Sequence, residues 1–358
     1  MPKVRVGLVG LGSVAQVVHL PVLRQYAGDV EVVAGCDVSA ALGATVGERF
    51  GITKIYTDHR KMLEQESLDI VAILSSDEYH ADCAIDGLDA GCHILVEKPV
   101  CLTLADVSRV AAARDRAGKV AMVGYMRRYA DAYVEMRRHL REQGDIHHVS
   151  VRDIIGPNSY FIDQTSIVAT ANDVAPQFVA ERAERARVQT AESIGNQPSD
   201  VVSAFRLLNS LSSHDLSAMR GLIGKPQRVI AAAQKRGGRY ITALFDYGGF
   251  MTTFETGLDR VGCFDAHIEV FTGTERMRID FDTPYIRQLP TRLSIQTTEG
   301  ERFSHREVRP TFRDAYSRQW EAFFDCIVRG IPAPTSLEDA AEDVTLAIDI
   351  VRTFSRVG

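Results

Sequence analysis

Close to its start, a β-rich run, VRVGLVG, passes straight into Gly10-Leu11-Gly12-Ser13-Val14-Ala15, and the residues that follow have helical spacing. A G-x-G-x-x-A turn between strand and helix narrows what a chain can become. Gly10 permits the tight turn, Gly12 lets backbone approach a bound group, and Ala15 is small enough for the helix to pack on the strand. The helix start then offers open N–H groups and the positive end of a dipole, both suited to phosphate. Such a turn is weak evidence alone, so its surroundings decide its meaning.

Those surroundings alternate strand and helix up to residue 124. VRVGLVG, VEVVAGCDV, LDIVAILSS, CHILVEKP and KVAMVGY read as strands, and Ala15 to Tyr26, Ala40 to Phe50, His80 to Ala90 and Thr103 to Ala117 read as helices. That rhythm predicts right-handed β-α-β units and a doubly wound parallel sheet. A glycine turn at this place predicts a dinucleotide site in a domain spanning residues 1–124. Asp37 ends the second run, where a carboxylate accepts hydrogen bonds from both ribose hydroxyls and repels a 2′-phosphate. Neither Val38 nor Ser39 supplies a basic partner, so the expected cofactor is NAD and not NADP.

From residue 125 to 358 the pattern changes. A helix from Asp131 to Glu142 and a strand from His148 to Ile155 precede a long polar stretch, Gly156 to Ser199, with one helix near Ala175 to Val188. A helix from Asp200 to Leu222 follows, stopped by Gly224 and Pro226. Then come QRVIAAAQ, YITALFDY, FMTTFETGL, AHIEVFTG, ERMRIDF and LSIQTTE, joined by short turns such as Asp246 to Gly249, before helices at Arg313 to Val328 and Leu337 to Phe354. Successive strands on short turns predict a large, mostly antiparallel open sheet. The fold class is α/β, with an α+β second domain, and 358 residues suffice for two cores.

Composition excludes more than it identifies. A net charge of −6 gives no reason to expect nucleic acid or an anionic membrane as partner. No apolar run reaches the roughly 18 to 20 residues of a membrane span. Six scattered cysteines without a C-x-x-C pair argue against a zinc site and a disulfide framework, so no metal is expected. With a strand pattern at the very start and no signal-peptide pattern, the expected location is cytoplasmic.

The run His93-Ile94-Leu95-Val96-Glu97-Lys98-Pro99 ends at the carboxyl edge of the first sheet, where ligands of such sheets bind. A lysine leaving a buried strand there, beside a nicotinamide, is partly desolvated and placed to hydrogen-bond a reacting oxygen and to take part in proton transfer. His214 lies within the helix expected from Asp200 to Leu222, and from that pattern alone it is an ordinary packed or solvated histidine.

Taken in order, GLVGLGSVA, SSDEYHADCAIDGLDAGCHILVEKP, GYMRRY and SSHDLSAMRGLIGKP resemble the Gfo/Idh/MocA family, that of glucose-fructose oxidoreductase and inositol dehydrogenase. The resemblance is close through the N-terminal domain and looser beyond it. It implies a Rossmann domain followed by a substrate-binding and oligomerisation domain. It also implies a homodimer or homotetramer assembled through the open sheet face. Lys98 matches the family's catalytic lysine and His214 its second-domain histidine, a general acid/base at the reacting hydroxyl. Cofactor contacts fall to Gly10, Gly12, Ser13, Val14, Asp37, Ser75, Ser76, His80, Glu97 and Lys98. Arg127 and Asn158 match positions near the substrate. The implied activity is NAD-dependent oxidation of a secondary ring hydroxyl of a sugar, sugar derivative or cyclitol, or reduction of the matching ketone.

The chain departs from the family pattern twice. Many members place aspartate four residues before the histidine, and this chain has Ser210. Arg206, Ser210 and His214 recur every four residues and form a stripe able to read an anionic substituent on the substrate, although an interdomain contact explains Arg206 as well. The long stretch between Asn158 and His214 exceeds the minimal family pattern, and loops of that size serve as lids or as contacts between subunits. These departures keep open an alternative, an NAD-dependent glycoside hydrolase working by transient redox on a sugar glycoside, anionic ones included. A non-catalytic NAD sensor is a third option, which retention of Lys98 disfavours.

Overall fold

The computed structural model describes residues 2–354. They form two compact units. The first takes in the chain up to Gly124 together with Ile162–Ser193 and Gln319–Val344, and the second takes in Tyr125–Phe161, Ile194–Arg318 and the chain from Thr345 onward.

In the first unit β1 (Val4–Val9), β2 (Val30–Cys36), β3 (Lys54–Tyr56), β4 (Ile70–Ile73), β5 (His93–Glu97) and β6 (Ala121–Gly124) make one parallel sheet in the order β3-β2-β1-β4-β5-β6. The order reverses between β1 and β4, which puts the topological switch point at their carboxyl ends. Every residue of β4 and β6 is buried, as in strands covered on both faces. The connecting helices are α1 (Leu20–Gln25), α2 (Ala40–Phe50), α3 (His59–Gln65), α4 (His80–Asp89) and α5 (Leu104–Ala117). Three of them have side-chain caps: Ser39 accepts from the Leu42 N–H, Asp58 from the Arg60 N–H and Thr103 from the Asp106 N–H. The outer edge of β6 is covered from far along the chain, because the Val123 N–H donates to the Thr335 carbonyl at 2.9 Å and the Thr335 hydroxyl donates to the Val123 carbonyl at 2.7 Å.

Beyond β6 come α6 (Asp131–Gln143), β7 (Ile146–Ile155), α7 (Asn158–Thr165), α8 (Pro176–Ile194), α9 (Ser199–Leu207) and α10 (Ser213–Ile223). Seven strands follow: β8 (Arg228–Lys235), β9 (Tyr240–Asp246), β10 (Met251–Leu258), β11 (Phe264–Thr272), β12 (Glu275–Phe281), β13 (Arg292–Glu299) and β14 (Arg302–Val308). Helices α11 (Ala315–Arg329) and α12 (Leu337–Phe354) end the described chain. The second unit holds an eight-stranded sheet in the order β14-β13-β12-β11-β7-β10-β9-β8. It is antiparallel except where β7 lies beside β10 in the same direction. β7 alternates strictly, sending Val149, Val151, Asp153 and Ile155 to the buried face. Asp153 is a charge in an apolar series, which marks that face for something other than core packing.

This is the α/β architecture the sequence predicts, with three local differences. The helix expected from Asp200 to Leu222 is interrupted by a π-helical turn at Leu208–Ser212, and a second such turn, Ala15–His19, follows the glycine turn. The polar stretch after Gly156 contains two helices where one is expected. β3, α3 and β14 escape the sequence pattern altogether. β3 has three residues, too few to establish a period, and nearly every residue of β14 is exposed, so it shows no alternation.

Candidate active site

At the switch point the two glycines do different things. Gly10 has φ +95°, and a Cβ there would come within 2.6 Å of the Leu74 carbonyl group and of the Ser75 nitrogen, so no side chain fits. Gly12 has nothing within 4 Å of where its Cβ would be. That open space, next to the N–H groups of the first helical turn, is what a pyrophosphate needs. Asp37 is half-buried at the end of β2, where Oδ2 accepts from the Leu11 N–H at 2.9 Å and Oδ1 from the Ser39 N–H at 3.0 Å. These bonds hold the carboxylate in place and leave lone pairs for a ribose diol. The residues therefore fit a dinucleotide. Gly12→Ala should keep its melting temperature and lose about tenfold or more in NADH affinity, roughly 1.4 kcal/mol, in a fluorescence titration. Unchanged affinity would mean that nothing docks on this turn.

Lys98 leaves the end of β5 half-buried, and its backbone N–H donates to Glu97 Oε2 at 3.2 Å. Glu97 Oε1 faces His19 Nε2 at 3.1 Å, and the Trp320 indole N–H donates to His19 Nδ1 at 3.1 Å. Indole is only a donor, so Nδ1 must accept and Nε2 must carry the hydrogen given to Glu97. Sequence reasoning missed His19 and Trp320. Their residue types are visible, but no local signal joins positions so distant in the chain. His80 is 2% exposed, with Nδ1 2.8 Å from the Pro99 carbonyl and Nε2 3.0 Å from the Ser75 carbonyl. It ties the loop after β4 to the loop after β5. The Lys98–Pro99 peptide bond is cis. Ser76 begins the short 3-10 turn Asp77–Tyr79 within the same loop.

The stretch from residue 162 to 193 packs on the loops of this same edge. Gln16 treats Ala169 as a strand partner: Oε1 accepts from the Ala169 N–H at 2.9 Å, and Nε2 donates to the carbonyls of Ala169 and Leu11, each at 2.9 Å. Asp173 accepts from the Ser39 hydroxyl and from the Ala41 N–H. Arg49 donates to the Ile167 carbonyl. In α8, Arg185 pairs with Asp82 at 2.8 Å and lies over the Tyr79 ring, Gln189 donates to the Glu78 carbonyl, and Ser193 donates to the Leu102 carbonyl. The loops after β1, β2, β4 and β5 are all touched.

In the second unit Arg127 is 3% exposed. Its guanidinium donates to Asp215 and, at 3.3 Å, to Asp153, and the Phe264 and Phe281 rings lie 5.7 and 4.9 Å from its carbon. Burial pushes the Asp215 carboxyl well above the usual carboxylate range; Arg127 opposes that shift and neighbouring Asp153 adds to it. Asp215 and Asp153 were not singled out in the sequence, and an alternating strand with one inward aspartate is the signal that could have found the second. His214, next to Asp215 in the first turn of α10, is 9% exposed. The π turn lies between Arg206, half-buried in α9, and His214, with exposed Ser210 inside it. A π turn takes more residues per turn than an α-helix, so a spacing of four comes near one full turn. Asn158 is exposed at the start of α7. Among the described residues no group of three or more His, Cys, Asp or Glu could hold a metal, and no helix is long and apolar enough to cross a membrane.

Residues 4–125 match the model of an oxidoreductase family with an NAD-binding Rossmann fold, GFO_IDH_MocA. Inositol 2-dehydrogenase of Salmonella typhimurium is 25% identical over 356 residues, covering 95% of this chain and 91% of that protein. D-apiose dehydrogenase of Paraburkholderia graminis is 35% identical over 135 residues, 38% of this chain and 36% of its own. Among solved structures, a levoglucosan dehydrogenase in complex with NADH and levoglucosan covers 100% of this chain and 98% of its own, with TM-score 0.77 and 16% identity, a likeness of fold.

Proposed function

We propose that this chain, whose residues 4–125 match the model of the Gfo/Idh/MocA family of oxidoreductases, is an NAD-dependent dehydrogenase that oxidises a secondary ring hydroxyl of a sugar, sugar derivative or cyclitol, or reduces the matching ketone. The observation that carries this reading is the carboxyl edge of the six-stranded sheet. There the open space at Gly12, the ribose-type carboxylate of Asp37 and the exit of Lys98 from β5 lie on one rim. The names of the relatives, dehydrogenases of inositol and of apiose, support the substrate class.

Bound NAD supplies the hydride acceptor. In this reading Gly10, Gly12, Ser13 and Val14 seat the pyrophosphate, and Asp37 holds the ribose. Ser75, Ser76, His80 and Glu97 shape the loops against the nicotinamide end. Lys98 hydrogen-bonds the reacting oxygen, while His214 removes or returns its proton. Arg127 acts through Asp215 and Asp153, fixing the first turn of α10 that carries His214. Asn158, Ser210 and Arg206 are left to orient the substrate. The reading includes a homodimer or homotetramer and a cytoplasmic location.

The deciding experiment is a screen of sugars, cyclitols and their glycosides with NAD, following NADH absorbance and substrate cleavage together. A dehydrogenase accumulates NADH in proportion to product. Release of free sugar without lasting NADH would replace this reading by the redox-assisted hydrolase, and no reaction in either channel would remove it. A second titration checks the cofactor. The protein should bind NADH more tightly than NADPH, and Asp37→Ala should narrow the difference about tenfold by weakening NADH, since a charge-assisted diol contact is lost.

A further inference from the structure

We propose that Asp173 is a second cofactor-selecting carboxylate, carried by a strap of this same chain that rejects the 2′-phosphate of NADP. The inference rests on the reading that the site takes NAD. Its basis is the accounting of hydrogen-bond donors at the start of α2, next to Asp37.

A helix start beside the ribose carboxylate is where a 2′-phosphate would look for donors, because that phosphate replaces a hydroxyl that Asp37 would hold. Here the donors of Ser39, Ala41, Leu42 and Gly43 are taken by the chain itself. The Ser39 N–H goes to Asp37 Oδ1 and the Ser39 hydroxyl to Asp173 Oδ1. The Ala41 N–H goes to Asp173 Oδ2 at 3.0 Å, the Leu42 N–H to the Ser39 hydroxyl oxygen at 3.0 Å, and the Gly43 N–H to the Ser39 carbonyl at 3.0 Å. Ser39 is thus a bridge between two carboxylates. The Asp173 carboxyl is held below the usual carboxylate range by the Ser39 hydroxyl and the Ala41 N–H, so it is an anion where NADP would bring another. A phosphate arriving there meets two negative charges, and the donors of Ser39, Ala41, Leu42 and Gly43 are already engaged. NAD brings only a hydroxyl, which a carboxylate accepts.

Asp173 is not a loose end. From the π turn after the glycine turn, Gln16 grips Ala169 by both its N–H and its carbonyl, and Arg49 holds the Ile167 carbonyl. On the other side of Asp173, α8 is fixed by Arg185 to Asp82 and by Ser193 to the Leu102 carbonyl. The segment is anchored before and after the carboxylate it presents, and all these partners belong to the first unit.

The test titrates NADH and NADPH into the full chain and its Asp173→Asn and Asp173→Ala variants by nucleotide fluorescence, with AMP and its 2′-phosphorylated form as competitors. Removing one like charge near a phosphate should raise NADPH affinity about tenfold in both variants while NADH affinity moves less than about threefold. The phosphorylated competitor should gain with NADPH. NADPH affinity unchanged in both variants would overturn the proposal, as would equal changes for the two cofactors, which would make the strap structural only. Failure of the parent protein to bind either cofactor would be a different result, removing the NAD reading itself and the proposal with it.

Discussion

Replacing Lys98 by methionine lowers turnover by about two to four orders of magnitude, the range for losing a positioned proton-transfer group. NAD affinity and melting temperature stay near those of the parent. The contrast is expected because of what the substitution leaves alone. Methionine keeps much of the aliphatic stem of this half-buried side chain. Glu97 keeps its bond from His19, which Trp320 orients from behind, so no buried carboxylate is stranded. Single-turnover rates with the substrate found in the screen, alongside NADH titration and thermal unfolding, separate the outcomes. Near-normal turnover would take Lys98 out of the chemistry, and a fall in melting temperature matching the fall in rate would make its role structural.

Replacing Arg127 by methionine destabilises the protein by about 3–5 kcal/mol, the usual loss when one partner of a buried ion pair is removed. Asp153 and Asp215 are both 0% exposed, and without the guanidinium they face each other with no cation between them. The pH dependence has a definite sign. Asp215 already has a raised carboxyl pKa, so the folded state binds more protons than the unfolded state above the ordinary carboxylate range, and stability falls as pH rises. Without Arg127, which opposes that rise, the fall should be steeper. Adding Asp215→Asn to Arg127→Met should recover part of the loss and flatten the profile. Denaturant titrations at several pH values measure both. A single-variant loss below about 1 kcal/mol, the scale of an exposed pair, would show that the cluster is solvated.

The alternation that announced the first sheet was legible because its strands are buried on both faces and its helices carry capping residues and stop signals. Ser39 and Thr103 stand just before two of those helices and cap their first turns. The glycine turn was legible for the same kind of reason: a backbone crowded against Leu74 admits no other residue at Gly10. What escaped was whatever depends on meeting across the fold. His19 looks like one more helical histidine until Trp320 arrives beside it. The resemblance puts Arg127 near the substrate; that its guanidinium also meets Asp215 and Asp153 is a pairing no local pattern announces. The polar stretch after Gly156 lacks an apolar stripe because polar side chains, Asp173, Arg185, Gln189 and Ser193, attach it to the first unit. A periodicity argument looks for apolar faces and passes over such a segment.

The partnership of Val123 with Thr335 has a consequence for how the protein is made. A ribosome releases the six strands of the parallel sheet in its first third of synthesis, but the residue that satisfies the open edge of β6, and the indole that orients His19, come only near the end. The nascent unit therefore waits with a bare strand edge, the kind of surface on which chains pair wrongly. A gene fragment ending at Gly124 would hold every strand of that sheet and still encode an unfinished domain, prone to self-association. Moving the cofactor half into another protein would require carrying along the pieces from the middle and the end of the chain that complete it.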